Sequence, residues 1–257
     1  MEKHAMIIIN PSSGTEKSIQ FKQDVYDILI EKDYSVTINE TKKENDAKNF
    51  AIQASKDAFD LITIMGGDGT VNEVINGIAE QEHRPKLHII PLGTVNNFAK
   101  AVEIPLKTQQ AIDVIKDPTE KLVDIGKINN HYFMNLVNIG AIAEATYQVT
   151  AEQKSKLGSL AYFIEGLKKF NEKDIFSVKI KLNETTQELD AMLVLIALTD
   201  TFGGFKNAVS EADINDGYLH VFVFQEMSTL EILSIITSLV NGQLKDQHTF
   251  NIGKRRA

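Results

Sequence analysis

Apolar residues follow two different rhythms along this chain, and the change comes near residue 120. In the first part, short apolar runs alternate with stretches whose apolar positions return every three or four residues. Met6 to Ile9, Tyr34 to Ile38, Leu61 to Met65 and Lys86 to Ile90 have the length and β-branching of buried strands. Between them, Phe21, Val25, Ile28 and Leu29 draw one helical stripe, Ala47, Phe50, Ala51, Ala54 and Ala58 a second, and Val71, Val74, Ile75 and Ile78 a third. Strand alternating with helix predicts a parallel sheet. The polar loops Asn10 to Gly14, Gly66 to Thr70 and Gly93 to Asn97 each follow a strand. In a right-handed parallel sheet they converge on the carboxyl edge, where open α/β sheets bind ligands.

After Pro118 strands follow one another with few helices: Leu122 to Ile128, His131 to Asn138, Ile175 to Leu182, Leu189 to Leu198 and Tyr218 to Phe224. Phe176, Val178, Ile180 and Leu182 alternate with Ser177, Lys179 and Lys181, as an antiparallel sheet with one wet face requires. A helix over about Lys156 to Lys169 interrupts the strands, and a last helix begins at Ser228, where Glu231 completes a capping-box spacing and Asn241-Gly242 closes the element. The chain therefore reads as an α/β domain with a parallel sheet over 1–120, followed over 121–257 by a mostly antiparallel domain with an inserted helix.

The Gly66-Gly67-Asp68-Gly69-Thr70 loop carries the most specific chemistry. Glycines let backbone N–H groups approach phosphate oxygens, and the helix that follows favours an anion at its N-terminus. A nucleotide phosphate is the expected ligand. A carboxylate facing phosphate repels it, so Asp68 implies Mg²⁺ between them. The chain has neither the Walker pattern nor a G-x-G-x-x-G loop. The plainer reading is a tight turn in which Asp68 caps the helix. Asp213-Ile214-Asn215-Asp216-Gly217 offers hard oxygen donors around a sharp turn, suited to a divalent cation, and also reads as an ordinary Asp-Gly turn.

Bulk properties narrow the function further. A net charge of -8 and a pI near 5.3 argue against general nucleic-acid binding, and Lys254-Arg255-Arg256 is too short to reverse that. Cysteine is absent, which excludes disulfides and thiolate chemistry. The N-terminus lacks a signal peptide pattern, and Leu230 to Val240 is short of the roughly 20 residues that span a bilayer. A cytoplasmic protein, at most peripheral at the membrane, is expected. The 6 histidines show no metal-ligand or carboxylate–histidine spacing, and each is read as a packing or surface residue.

Gly66 through Glu73, then Pro91-Leu92-Gly93-Thr94-Val95-Asn96-Asn97-Phe98-Ala99-Lys100, then Asp213 through Tyr218, resemble in order the motifs of the bacterial diacylglycerol kinase family, relatives of sphingosine and ceramide kinases. The resemblance runs from Met6 to about Leu239. It implies an ATP-binding α/β domain, a β-sandwich-like second domain and a cleft for a lipid hydroxyl. It also implies Mg²⁺-dependent transfer of the γ-phosphoryl group of ATP to a lipid alcohol such as diacylglycerol, during transient contact with a membrane surface. Carried over by position, it implies nucleotide contacts from Asn10, Thr41, Gly66, Gly67, Asp68, Gly69, Thr70, Val71, Asn72, Glu73 and Thr94, with Asn97 beside them. Mg²⁺ is implied at Asp213, Asp216 and the carbonyl of Tyr218.

Two departures stand out. Asn97 occupies a position where the family commonly has Asp. The family's general base, a glutamate in an Asp-Gly-Glu segment after the last helix, has no counterpart in this chain. Loss of a general base costs about 10²–10⁴-fold in rate, so weak turnover is expected. An unpaired sheet edge and self-association, as in a homodimer, are expected with it. The competing readings are a nucleotide-binding protein that has lost catalysis, and an NAD kinase, which also uses Gly-Gly-Asp-Gly-Thr.

Overall fold

Met6 through Ile9 and Ile62 through Met65 bury side chains on both sheet faces, the signature of parallel strands covered by helices on each side. The computed structural model describes residues 2–13, 21–140, 175–182, 185–201, 212–225, 231 and 250–256. The helix expected over 156–169, all but Glu231 of the helix expected from Ser228, and Gly14 of the first loop lie outside the described residues.

The first sheet consists of β1 (Lys3–Ile9), β2 (Tyr34–Glu40), β3 (Leu61–Gly66) and β4 (Lys86–Pro91), all parallel, in the order β2-β1-β3-β4. The chain leaves β1 for β2 on one side and then places β3 on the other. The switch in direction therefore lies between β1 and β3, where open sheets leave a crevice beyond the carboxyl ends. Register brings Ile9 level with Met65, and Gly66 level with Pro91, so the loops after β1, β3 and β4 leave the sheet at one height.

The helices are α1 (Lys22–Glu31), α2 (Asp46–Lys56), α3 (Asp68–Ile78), α4 (Asn97–Ala101) and α5 (Thr108–Asp113). Val25, Ile28 and Leu29 of α1 and Ile112 of α5 share one core with Ala5, Ile7, Ile9, Met65 and Ile90. Met6, Ile8, Ile62 and Ile64 point to the opposite face, and α2 and α3 pack together with buried stripes that include Ala47, Ala51, Val74 and Ile78. A short hairpin of β5 (Gly126–Ile128) and β6 (His131–Phe133) follows, with β6 against α3.

Chain contacts divide the protein into Met1–Lys121 with Lys127–Phe133, and Leu122–Gly126 with Met134–Ala257. In the second unit β7 (Leu136–Gly140), β10 (Leu193–Ala197), β11 (Tyr218–Phe224) and β12 (Phe250–Arg256) form an antiparallel sheet in the order β12-β11-β10-β7. β8 (Phe176–Leu182) and β9 (Thr185–Ala191) pair separately. Phe176, Val178, Ile180 and Leu189 of this ribbon pack on Val194, Val221 and Val223 of the sheet, a layered arrangement in line with the expected fold class.

Several strands differ from the sequence reading. The run from Leu122 to Ile128 is strand only at Gly126–Ile128, because Asp124 N–H donates to the carbonyl of Ile214 and ties this segment to another loop. The runs His131 to Asn138 and Leu189 to Leu198 each break in two. Chain direction allows β6 to pair with β5 and β7 with β10, while β9 pairs with β8 and β10 with β7 and β11. At the second break Met192 N–H donates to Phe224 O at 2.8 Å. β12, a strand the sequence reading did not place, pairs with β11, with a register shift between His220 and Phe222.

Candidate active site

Gly67 is the N-cap of α3, extended at φ -96° and ψ -174°, with no side-chain cap. Val71 N–H donates to Gly67 O, as the first bond of the helix. The preceding first-turn N–H groups are those that helix geometry leaves without an intrahelical partner, so α3 presents donors and the positive end of its dipole at the end of β3. A Cβ on Gly67 would lie 3.0 Å from Cα of Gly93, and one on Gly93 would lie 2.7 Å from Cα of Gly67. Two backbones touch there, and a side chain on either glycine would press them apart.

The loop after β1 joins from the other side. Asn10 N–H donates to Met65 O at 2.9 Å, and Asn10 Nδ2 donates to Thr70 Oγ1 at 3.0 Å. Asn10 Oδ1 accepts from Ser12 N and Oγ. Thr41 N–H donates to Ile9 O at 2.8 Å, which sets the start of the loop after β2 beside β1. Asn10, Thr41, Gly66, Gly67 and Thr70 are thus brought to one edge. Gly69 and Thr94 are exposed there.

Other residues expected at the nucleotide also have partners within the scaffold. Val71 is buried and its N–H is engaged within the helix, so it supports the loop from below. Asn72 O accepts from Asn76 Nδ2. Glu73 Oε2 accepts from Ala47 N at 3.2 Å and so caps α2, whose own N-cap Asn45 makes no side-chain cap. Asp68 has partners that the sequence does not reveal. Its Oδ2 accepts from Asn97 N at 3.0 Å and its Oδ1 from Phe98 N at 3.1 Å. The carboxylate thus caps α4 across the loops, and two N–H donors offset part of its charge, a role beside the one read from the sequence.

In the second unit, Asp213, Asp216 and Tyr218 share one turn. Asp216 Oδ1 accepts from Tyr218 N at 2.8 Å and Oδ2 from Asp213 N at 3.3 Å, while Gly217, at φ 72°, takes the left-handed conformation that the turn needs. His220 Nε2 lies 2.7 Å from Asp216 Oδ2, with the ring fully buried. Partial burial disfavours the charged form of Asp216, but bonds from His220, Tyr218 and Asp213 outweigh it and hold the carboxyl below its ordinary value. Gly217 N–H donates to Asp124 Oδ2 at 2.7 Å. As donor chemistry, the Asp213 and Asp216 carboxylates with the Tyr218 carbonyl suit a hard cation. Among the described residues, no three acidic, His or Cys side chains gather as a ligand cluster, so backbone carbonyl and water would have to complete the set.

Residues 4–128 match the diacylglycerol kinase catalytic domain, and residues 135–255 match the YegS C-terminal NAD kinase beta sandwich-like domain. The chain belongs to the diacylglycerol kinase family. It is 39% identical over 246 residues to a diacylglycerol kinase of Staphylococcus epidermidis, covering 95% of this chain and 77% of that protein. It is 38% identical to one of Staphylococcus haemolyticus, covering 95% and 74%. The crystal structure of a diacylglycerol kinase from Bacillus anthracis superposes with a TM-score of 0.75 at 30% identity, covering 96% of this chain and 79% of that one.

As a member of this family of lipid kinases, the chain holds residues that the sequence reading passed over. Gly93, for which the sequence reading named no contact of its own, stands against Gly67, and Asn96 bonds to Gly93 from behind. Asp124 reaches the Asp216 turn from 93 residues away, which no local spacing reveals. His220 corrects the reading of the histidines: Asp216 and His220 are four apart, a carboxylate–histidine spacing, and they are in contact. Among the described residues no helix is long and apolar enough to cross a membrane.

Proposed function

We propose that this diacylglycerol kinase family member transfers the γ-phosphoryl group of ATP, delivered with Mg²⁺, to the hydroxyl of diacylglycerol, giving phosphatidate. The observation that carries the reading is the backbone contact of Gly67 with Gly93 at the start of α3. It leaves a side-chain-free edge with N–H donors where a triphosphate can lie. Its position inside the matched catalytic domain supports the assignment. The acceptor is taken from the relatives, which are named diacylglycerol kinases.

In this reading the first-turn N–H groups of α3 bind phosphate oxygens, Thr70 offers its hydroxyl and Asn10 orients it. Asp68 keeps the loop after β4 in place. Mg²⁺ on the nucleotide spreads the charge of the transferred group, chemistry that rests on positioning and electrostatics. A second Mg²⁺ is proposed at Asp213, Asp216 and the carbonyl of Tyr218, as a structural ion.

The test is transfer of labelled phosphate from γ-labelled ATP to diacylglycerol in mixed micelles, with and without Mg²⁺. Labelled phosphatidate that requires Mg²⁺ is expected. ATP binding without transfer to diacylglycerol or any other lipid alcohol would overturn the proposal. Gly67→Val, which drives a side chain into Gly93, is expected to abolish thermal stabilisation by ATP.

A further inference from the structure

Asn96 has three unusual properties at once. It sits in the left-handed region at φ 54° and ψ 52°, it is 8% exposed, and it uses both ends of its amide on one neighbour. Asn96 Oδ1 accepts from Gly93 N at 2.9 Å, and Asn96 Nδ2 donates to Gly93 O at 2.8 Å. A buried amide satisfied in this way fixes both peptide planes of its partner. That partner is Gly93, whose Cα abuts Gly67. The residues directly after Asn96 supply the N–H groups that Asp68 accepts.

The two loops are therefore joined at two points, by backbone contact at Gly67–Gly93 and by hydrogen bonds at Asp68–Asn97 and Asp68–Phe98. Asn96 sets the geometry of the side that carries both. A non-glycine residue in the left-handed region is strained and persists where the surroundings enforce it, and such residues cluster at ligand sites. Asn bears that conformation better than most residues.

We propose that Asn96 is a positioning residue for ATP: its amide ring with Gly93 holds Gly93 against Gly67 and so keeps the Gly66–Thr70 loop in the shape that receives phosphate. The inference rests on the nucleotide site proposed above. Because Asn96 acts through Gly93 on the Gly66–Thr70 loop, its effect is expected on the nucleotide.

The experiment compares the full chain with Asn96→Gly and Asn96→Asp. Glycine keeps the left-handed backbone without strain and removes only the amide. Aspartate keeps the size and the acceptor for Gly93 N–H, but sets an oxygen against Gly93 O. ATP·Mg²⁺ affinity is read by calorimetry, KM for ATP and for diacylglycerol by kinetics, and folding by thermal melting.

In at least one variant that melts cooperatively, a tenfold or greater weakening of ATP binding is expected, with KM for ATP rising in parallel and KM for diacylglycerol unchanged. A merely structural role would lower the melting temperature and the folded fraction, yet leave ATP affinity of the folded protein intact. Wild-type ATP affinity in every Asn96 variant that folds would overturn the proposal. Gly67→Val separates the two levels. If it binds ATP normally, the nucleotide site itself is wrong and this inference falls with it. If it loses ATP while every folded Asn96 variant keeps it, only the role of Asn96 is lost.

Discussion

At the scale of single residues, Asp68 and His88 show how burial and partners decide what an ionisable group does. Asp68 gives both oxygens to backbone N–H groups of α4. Hydrogen bonds to a charged group are worth about 1.5–3 kcal/mol, so Asp68→Ala is expected to lose stability of about that size in urea unfolding, besides any loss of activity. His88 lies in β4 with Nε2 3.0 Å from the carbonyl of Ala111, which makes Nε2 the protonated nitrogen. Its Nδ1 is buried without a partner. Burial pushes its pKa from 6.5 down to about 4, against the opposing pull of the Ala111 bond. The folded state keeps the ring neutral while the unfolded chain binds a proton below 6.5. Stability from this site is thus present above pH 6.5 and falls progressively toward pH 4. The shift corresponds to roughly 3 kcal/mol. His88→Leu is expected to flatten the fall of stability between those pH values, measured by denaturant midpoints across pH.

At the scale of elements, the packing of α2 on α3 depends on Gly77. A Cβ there would lie 2.6 Å from the carbonyl oxygen of Lys48 and 2.8 Å from Cβ of Ala51. Alanine raises helix propensity by up to about 1 kcal/mol, while overpacking costs about 1–3 kcal/mol. The contact is with backbone, which yields little, so Gly77→Ala is expected to destabilise the protein despite its better propensity. Chemical denaturation checks this. On the outer side of α3, Asn76 behaves as a substitute strand edge. Its Nδ2 donates to Tyr132 O at 2.9 Å and its Oδ1 accepts from Tyr132 N at 2.8 Å. Lys127, Tyr132 and Glu80 close the same contact, with Lys127 Nζ 2.6 Å from Glu80 Oε1 and 5.1 Å from the Tyr132 ring centre. These outer pairs are exposed and contribute little. Asn76→Ala is therefore expected to release the hairpin, seen as faster amide exchange at Tyr132 with the sheet β2-β1-β3-β4 still protected.

At the scale of the whole molecule, the proposed ion at Asp213, Asp216 and Tyr218 makes stability depend on metal even without nucleotide. Chelation with EDTA is expected to lower the melting temperature, and an unchanged curve with verified metal-free protein means that the hydrogen bonds of the turn suffice alone. The alternation of strand and helix up to residue 120, the parallel sheet, the loop from Gly66 to Thr70 and the antiparallel second half were legible in the sequence by itself. Each is a local signal, since side-chain period and glycine placement act over a few residues. The breaks near Met134 and Met192 and the pairing of β12 on β11 were not, because a continuous apolar run does not record which strand it pairs with. The same limit applies within the site. The sequence presented Asp68 as a lone carboxylate beside phosphate, and only the order and register of β3 and β4 set it against the N–H groups of Asn97 and Phe98, pressed Gly67 on Gly93 and put Asn96 behind them. Those partners are decided by which strands lie side by side, a property of the assembled sheet that no single stretch of chain contains.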